Sequence, residues 1–266
     1  MKLTKQLLKS IKSKEIIVFD LDGTLTLSKS NLDQEMAELL AKLLKIKKVA
    51  IIGGGKYKQF ENQFLKYLNC GSLQKNLFLF PTNATAFYKF KNNKWLKIYE
   101  LILKRNEVQK IFNAFNQVFE KFNYHHPNVT YGSVIENRGT QITFSALGQE
   151  IVNQLGKAGL KLKEDWNKKN NKLRIKMAKE LQKLLPEFDV KIGGLTSIDV
   201  TPKGIDKAYG LNQISKNLKI PIKKMVFVGD ALYPGGNDYA VKKTGVLALQ
   251  VNSIDETKKL IESIVN

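Results

Sequence analysis

The sequence predicts an α/β fold: a doubly wound, mostly parallel, Rossmann-like sheet that carries an inserted α+β module. Three observations point to it. Short β-branched runs alternate with helically spaced apolar residues towards both ends of the chain. The middle instead holds paired short runs joined by turn residues, the pattern of antiparallel hairpins. Acidic, glycine-containing loops follow two of the apolar runs, at the strand ends where open parallel sheets bind their ligands.

Taken in order, Met1–Lys14 is basic and amphipathic (Leu3, Leu7, Leu8, Ile11) and reads as a short surface helix. It lacks the continuous apolar core and small-residue cleavage site of a secretory leader. Glu15–Asp20 is a buried strand running into a polar loop. Asn31–Ile46 sets Leu32, Met36, Leu39, Leu40, Leu43 and Leu44 at helical spacing. Val49–Ile52 is a second strand, halted by Gly53–Gly55; Tyr57–Leu68 is helical, and Leu77–Phe80 is a third strand, halted by Pro81. The inserted segment opens with Phe87–Phe90 and Trp95–Ile98 across Lys91–Lys94, a hairpin signal. Asn106–Phe122 is an amphipathic helix bearing Phe112, Phe115, Phe119 and Phe122. Val134–Glu136 pairs with Gln141–Phe144, Lys168–Leu185 is helical, and Asp189–Ile192 pairs with Ser197–Val200 around Gly193-Gly194. The parallel pattern then resumes: Lys203–Leu218 and Asp255–Ile264 are helical, and Met225–Val228 and Val246–Leu249 are strands. The expected division is residues 1–85 with 204–266 as the core and 86–203 as the insertion.

Composition narrows the function. Hydrophobic residues make up 43% of the chain, too many for a disordered protein. No apolar run nears the ~18–20 residues that a membrane helix needs, so no membrane partner is expected. Cys70 is the only cysteine, which excludes an intrachain disulfide and points to the cytoplasm. The formal charge of +20 raises nucleic-acid binding as an alternative of another class. Two features argue against it. Arg105, Arg138 and Arg174 are the only arginines, although arginine is the preferred residue for bidentate phosphate and base recognition. The lysines are also spread over every segment. The positive field suits the steering of a small anion instead. His125-His126 have no third ligand at metal spacing, and Gly53–Gly55 lacks the glycine spacing of a dinucleotide loop.

The residues that carry chemistry cluster after strand ends. Asp20-Leu-Asp22-Gly-Thr24 follows the first strand. One carboxylate there can attack phosphorus and bind a metal, while the other protonates the leaving oxygen and later deprotonates the attacking one. Phe227-Val-Gly229-Asp230 is followed by Pro234-Gly-Gly-Asn237-Asp238. Its oxygen ligands suit Mg2+, with Asp230 and Asp20 as ligands and Asn237 or Asp238 orienting the site. Helix capping is the competing reading for Asp238. Lys207, at a helix start, can offset carboxylate and phosphate charge.

In this order the motifs resemble the haloacid-dehalogenase superfamily, in its branch with a large α+β cap, and more closely the eukaryotic-type α-phosphomannomutases. The stretches that carry the resemblance are Phe19–Thr26, Ile51–Gly55, Phe80-Pro81, Ile135–Arg138, Ile192–Lys207 and Phe227–Asp238. The resemblance implies Asp20 as the phosphorylated nucleophile, Asp22 as acid/base and Lys207 as the superfamily lysine. It implies Mg2+ held by the Asp20 side chain, the Asp22 carbonyl and Asp230. Arg138, Ser197 and Asp199 of the cap would hold a small phosphorylated sugar and its distal phosphate. A cap that excludes water would favour transfer between sugars over hydrolysis. There are departures. Where the family carries an arginine seven residues before Arg138, this chain has Tyr131. Lys29 matches a core arginine. Gly55 replaces a serine, leaving the backbone of Gly54 and Gly55, with Lys56, for phosphate contact. A weaker hold on the distal phosphate would fit a sugar-phosphate phosphatase with the same nucleophile, which is the alternative enzyme. A homodimer through the Phe112/Phe115/Phe119 face of the cap helix is the expected assembly.

Overall fold

The computed structural model describes residues 3–27 and 30–266. Its strands are β1 (Ile16–Asp20), β2 (Lys48–Ile52), β3 (Leu77–Phe80), β4 (Ala86–Lys91), β5 (Lys94–Glu100), β6 (Ile135–Asn137), β7 (Ile142–Ser145), β8 (Phe188–Gly193), β9 (Ser197–Pro202), β10 (Met225–Gly229) and β11 (Leu247–Gln250). The chain divides into two compact units, Met1–Glu100 with Asp206–Asn266, and Leu101–Ile205.

The first unit is a three-layer α/β sandwich. Its sheet runs in the order β11-β10-β1-β2-β3-β4-β5. The strands from β11 to β3 are parallel, and β4 and β5 add an antiparallel edge. Every residue of β1 is buried, because both faces of the sheet are covered. Ile17 and Phe19 pack on helices Gln34–Ile46 and Ile254–Val265 through Met36, Leu40, Leu44, Leu260 and Ile261. Ile16 and Val18 pack on helix Lys207–Leu218 through Leu211 and Ile214. Two-sided burial is why β1 reads as an unbroken apolar run instead of an alternating one. Asp33, Asp206 and Ser253 cap the N-termini of these three helices with their side chains.

Four expectations change. The hairpin 86–100 belongs to the core sheet and not to the insertion. Leu79 and Tyr88 are in register, Phe80 stacks on Phe87 at 4.5 Å, and Tyr88 stacks on Tyr57 at 4.0 Å. These aromatic contacts give the hairpin more apolar surface to bury on the core edge than its sequence spacing reveals. The boundary therefore moves from residue 86 to Leu101. The N-terminal helix, Lys5–Lys12, is also more than a surface element, since Ile11 is fully buried in the core.

The second unit is a four-stranded antiparallel sheet in the order β6-β7-β9-β8. Its registers sort side chains by face. Ile135, Phe144 and Ile198 line up on one side and contribute to a core with Phe115, Phe119, Met177 and Leu181 of helices Arg105–Lys121 and Lys157–Leu184. Glu136, Thr143, Asp199 and Lys191 form a polar row on the other side. The third change concerns the helix face expected to pair two copies. Phe115 and Phe119 are buried in this core, with Phe112 packed against it, so that face already serves the unit's own stability. Helix Lys157–Leu184 also starts earlier than its apolar spacing indicates. Among its first residues only Gly159 and Lys163 are buried, which leaves no apolar stripe to read.

Candidate active site

The site in the first unit is assembled from loops at the carboxyl ends of β1, β2 and β10 and from the first turn of helix Lys207–Leu218. Asp20 ends β1 and is 3% exposed. Beyond it the chain turns tightly, with Gly23 N–H donating to Thr26 O at 2.7 Å and Leu25 N–H to Leu21 O at 2.9 Å. Gly23 has φ +88°, and a Cβ there would lie 2.5 Å from an Asp230 carboxylate oxygen. Only glycine lets the two acidic loops approach this closely.

Lys207 is buried between two carboxylates. Its Nζ donates to Asp20 Oδ1 at 2.6 Å and to Asp238 Oδ1. Asp238 Oδ2 accepts from the Ala231 N–H at 3.0 Å. Asp238 is fully buried and makes no side-chain cap to the turn that follows it, which sets aside the capping alternative. The N-cap at Asp206, whose Oδ1 accepts from Tyr209 N–H at 2.9 Å, fixes the helix start that places Lys207 here.

The electrostatics follow from burial. Desolvation pushes the Asp20 carboxyl up to about 8; Lys207 opposes the shift, and Asp238 and Asp230 add to it. Asp230 is raised as well, first by burial and then by Asp238, with Asp22 adding to the repulsion. Burial alone would lower Lys207, but the two carboxylates outweigh it and hold the ammonium form. Asp20, Asp230 and Asp238 each bring an oxygen within 4.8 Å of the others. So crowded an acidic set, with its tight glycine turn and hard oxygen donors, fits a small divalent cation such as Mg2+.

The glycine loop after β2 is held from behind. Thr82 N–H donates to Gly55 O and Asn83 N–H to Gly53 O, each at 2.9 Å. Thr82, Asn83 and Ala84 all have left-handed φ values, at 49°, 54° and 66°. Backbone in that region is costly for residues other than glycine and is retained where a site needs it. Pro81 signals the end of the strand, but no glycine marks the left-handed backbone that follows it. Gln59, whose amide lies 3.5 Å from Asp22 Oδ2, carries no sequence signal either. Asn237 is exposed. Lys29 lies outside the described residues.

In the second unit, Arg138 Nε donates to Glu136 Oε2 at 2.8 Å and Nη2 to Gln149 Oε1 at 2.9 Å. Gln149, which no sequence signal marks, therefore joins Glu136 beside Arg138. Tyr131 instead packs with Leu147, Ile151 and Val152. Asp199 Oδ1 accepts from Thr143 Oγ1 at 2.7 Å. Arg174 is 4% exposed and donates to Gly194 O at 2.9 Å, Asn171 Oδ1 at 2.8 Å and Asn167 Oδ1 at 3.1 Å. It braces the turn between Gly193 and Ser197. Its being one of three arginines in a lysine-rich chain is the signal that could have singled it out.

A doubly wound sheet with paired aspartates after β1 and acidic residues after β10 is the arrangement of the haloacid-dehalogenase-like phosphotransferases. Solved structures share the fold. A haloacid dehalogenase-like hydrolase from Bacteroides thetaiotaomicron superposes with a TM-score of 0.60 at 17% identity, over 93% of this chain and 92% of its own. A Plasmodium falciparum IMP-nucleotidase superposes with a TM-score of 0.68 at 21% identity, over 98% of this chain and 63% of its own. The family model described as eukaryotic phosphomannomutase matches residues 36–266, and the chain belongs to that family. Relatives include a probable phosphomannomutase of Caenorhabditis elegans, 26% identical over 95% of this chain and 96% of its own. The phosphomannomutase of Encephalitozoon cuniculi is 27% identical over 94% and 93%. That of Dendrobium officinale is 29% identical over 91% and 90%.

Proposed function

We propose that this protein is a Mg2+-dependent phosphohexomutase that interconverts mannose 1-phosphate and mannose 6-phosphate through a bisphosphorylated sugar intermediate and an aspartyl-phosphate. The observation that carries this reading is the buried Asp20–Lys207–Asp238 cluster beside Asp22 and Asp230, in a chain of this family. Mg2+ bound by the Asp20 side chain, the Asp22 carbonyl and Asp230 would neutralise charge on the phosphoryl group.

This chain's own residues account for the rest. An Asp20 carboxylate oxygen attacks phosphorus, forming the Asp20 O–P bond as the sugar P–O bond breaks. Asp22 gives its proton to the departing sugar oxygen. In the second half, Asp22 takes the proton of the accepting hydroxyl, which then draws the phosphoryl group from Asp20. Lys207 opposes the burial that raises the Asp20 carboxyl and holds that carboxyl in place, and Asp238 fixes Lys207. The backbone N–H groups of Gly54 and Gly55 receive phosphate oxygens. Arg138 takes the distal phosphate, and Ser197 and Asp199 take sugar hydroxyls. On this reading Leu101–Ile205 is the specificity unit. A cytoplasmic setting accords with the single buried thiol of Cys70.

The test is a time course with mannose 1-phosphate and Mg2+, with and without a catalytic amount of a hexose 1,6-bisphosphate, following mannose 6-phosphate and free phosphate. Activator-dependent mannose 6-phosphate with little free phosphate is the expected result. Free phosphate as the main product would establish a sugar-phosphate phosphatase instead. That second reading draws on Arg138, whose guanidinium is already engaged by Glu136 and Gln149. Turnover should fall on the order of 10³-fold or more in Asp20→Asn. An Asp20→Asn protein with wild-type turnover would remove both enzyme readings. Among the described residues no helix is long and apolar enough to cross a membrane.

A further inference from the structure

Gln59 occupies the space that Gly55 leaves open. It lies in the short helix Tyr57–Phe60, which follows the glycine loop and continues as a π-helical turn over Glu61–Leu65. The two hydrogens of its side-chain amide face two acceptors. Nε2 donates to Gln63 Oε1 at 3.0 Å and lies 3.5 Å from Asp22 Oδ2. An ionised carboxylate only accepts, so a reversed Gln59 amide would set oxygen against oxygen at Asp22. Gln63 is 5% exposed, which anchors the pair from the core side. The Gln59 Oε1 end points at Gly55. A Cβ on residue 55 would overlap that oxygen and lie 2.5 Å from the Gln59 Cδ. Any side chain at position 55 would therefore displace Gln59 from Asp22.

We propose that Gln59 is a positioning residue that aims the Asp22 carboxyl at the leaving and attacking sugar oxygens, and that Gly55 is glycine to admit it. The inference rests on Asp22 being the acid/base. It also names what takes the place of a polar side chain at position 55: the amide arrives from the next helical turn. The contact to Asp22 is long, which suits a group that tightens its hold once substrate is present.

The experiment compares wild type, Gln59→Ala, Gln59→Glu, Gly55→Ser, Gly55→Ser/Gln59→Ala and Asp22→Asn on two substrates, mannose 1-phosphate and p-nitrophenyl phosphate. The sugar needs a proton on its leaving oxygen, whereas nitrophenolate leaves without one. Gln59→Ala is expected to lower kcat on mannose 1-phosphate by about tenfold with KM within about twofold, and to lose at least fivefold less on p-nitrophenyl phosphate. Gln59→Glu keeps the shape but faces Asp22 with a like charge, so its loss on the sugar should be larger. Gly55→Ser should resemble Gln59→Ala, and the double variant should be no worse than either, since both act by removing the same contact. Equal losses on both substrates would reduce Gln59 to packing and overturn the proposal. Multiplying losses in the double variant would overturn the link to Gly55. Wild-type kcat in Gln59→Ala with an inactive Asp22→Asn would sink this inference and leave the acid/base reading standing. An Asp22→Asn enzyme at full rate, or a wild type inert to both substrates, would remove that reading and this one together.

Discussion

Lys207 shows how much one side chain carries at this site. It is 1% exposed and is the cation between Asp20 and Asp238. Replacing it with methionine leaves two buried carboxylates without their partner, and breaking a buried pair in this way costs about 3–5 kcal/mol. Urea unfolding of Lys207→Met should show a loss of that order together with loss of turnover, and wild-type stability would mean that the cluster is not a true ion pair. Cys70 makes the opposite case, a reactive type silenced by its surroundings. It is 8% exposed, and burial pushes its thiol up to about 11. At pH 8 it should resist alkylation by iodoacetamide in the native state and react once unfolded, because only the thiolate attacks. The sign for stability follows. The folded thiol holds its proton more tightly than the unfolded one, so any contribution is intact below pH 9.0 and lost as pH rises towards 11. At this scale Asp20, Asp22 and Asp230 were legible as candidates, because strand-end aspartates in these spacings have a chemical reason to be there, whereas Lys207 stood out in so lysine-rich a chain only through the family resemblance. Gln59 and Gln149 were not, since a glutamine is informative only once its neighbours in space are known.

At the scale of elements, the turn between β8 and β9 depends on the helix that precedes β8. Arg174 reaches from helix Lys157–Leu184 to the carbonyls of Gly193 and Gly194, and its charge also lies near Asp199. Arg174→Met should leave these carbonyls unpaired and destabilise the unit by about 2–4 kcal/mol. Arg174→Lys should not restore it, because one ammonium cannot span the fork of acceptors. Hydrogen exchange at Ser197–Val200 would register the change, and undiminished protection there would refute the bracing role. Elements with strong patterns were legible. Two-sided burial made β1 an unbroken apolar run, and the Asn92-Asn93 turn, with φ values of 53° and 56°, carried the hairpin signal of β4 and β5. Which sheet the hairpin joins was not legible, because the deciding contacts, Phe87 on Phe80 and Tyr88 on Tyr57, are between separate segments.

For the whole molecule, each unit has a core of its own. In Leu101–Ile205 this is the cluster around Phe115, Phe119, Phe144, Met177 and Leu181. An isolated 101–205 fragment should therefore fold, with a cooperative thermal transition by circular dichroism. A fragment without such a transition would show that the unit needs the rest of the chain. The net charge of +20 belongs to this scale too. It says little about fold, and it is compatible with an anionic small substrate as much as with a polyanion.

Taken by itself, the sequence determined the α/β class with a mostly parallel sheet, the presence of an inserted module and the places of the acidic motifs along the chain. Local periodicity and turn chemistry encode all of these, and their information lies within a few residues. The tertiary structure alone decided that Asp238 pairs with Lys207 instead of capping a turn, that Gln149 joins Glu136 beside Arg138, that the hairpin completes the core sheet, and that the Phe115 face is interior. Each of these is a contact between separate elements of the chain. Side-chain direction and burial settle such contacts, and neither is written in the spacing of residues along one segment.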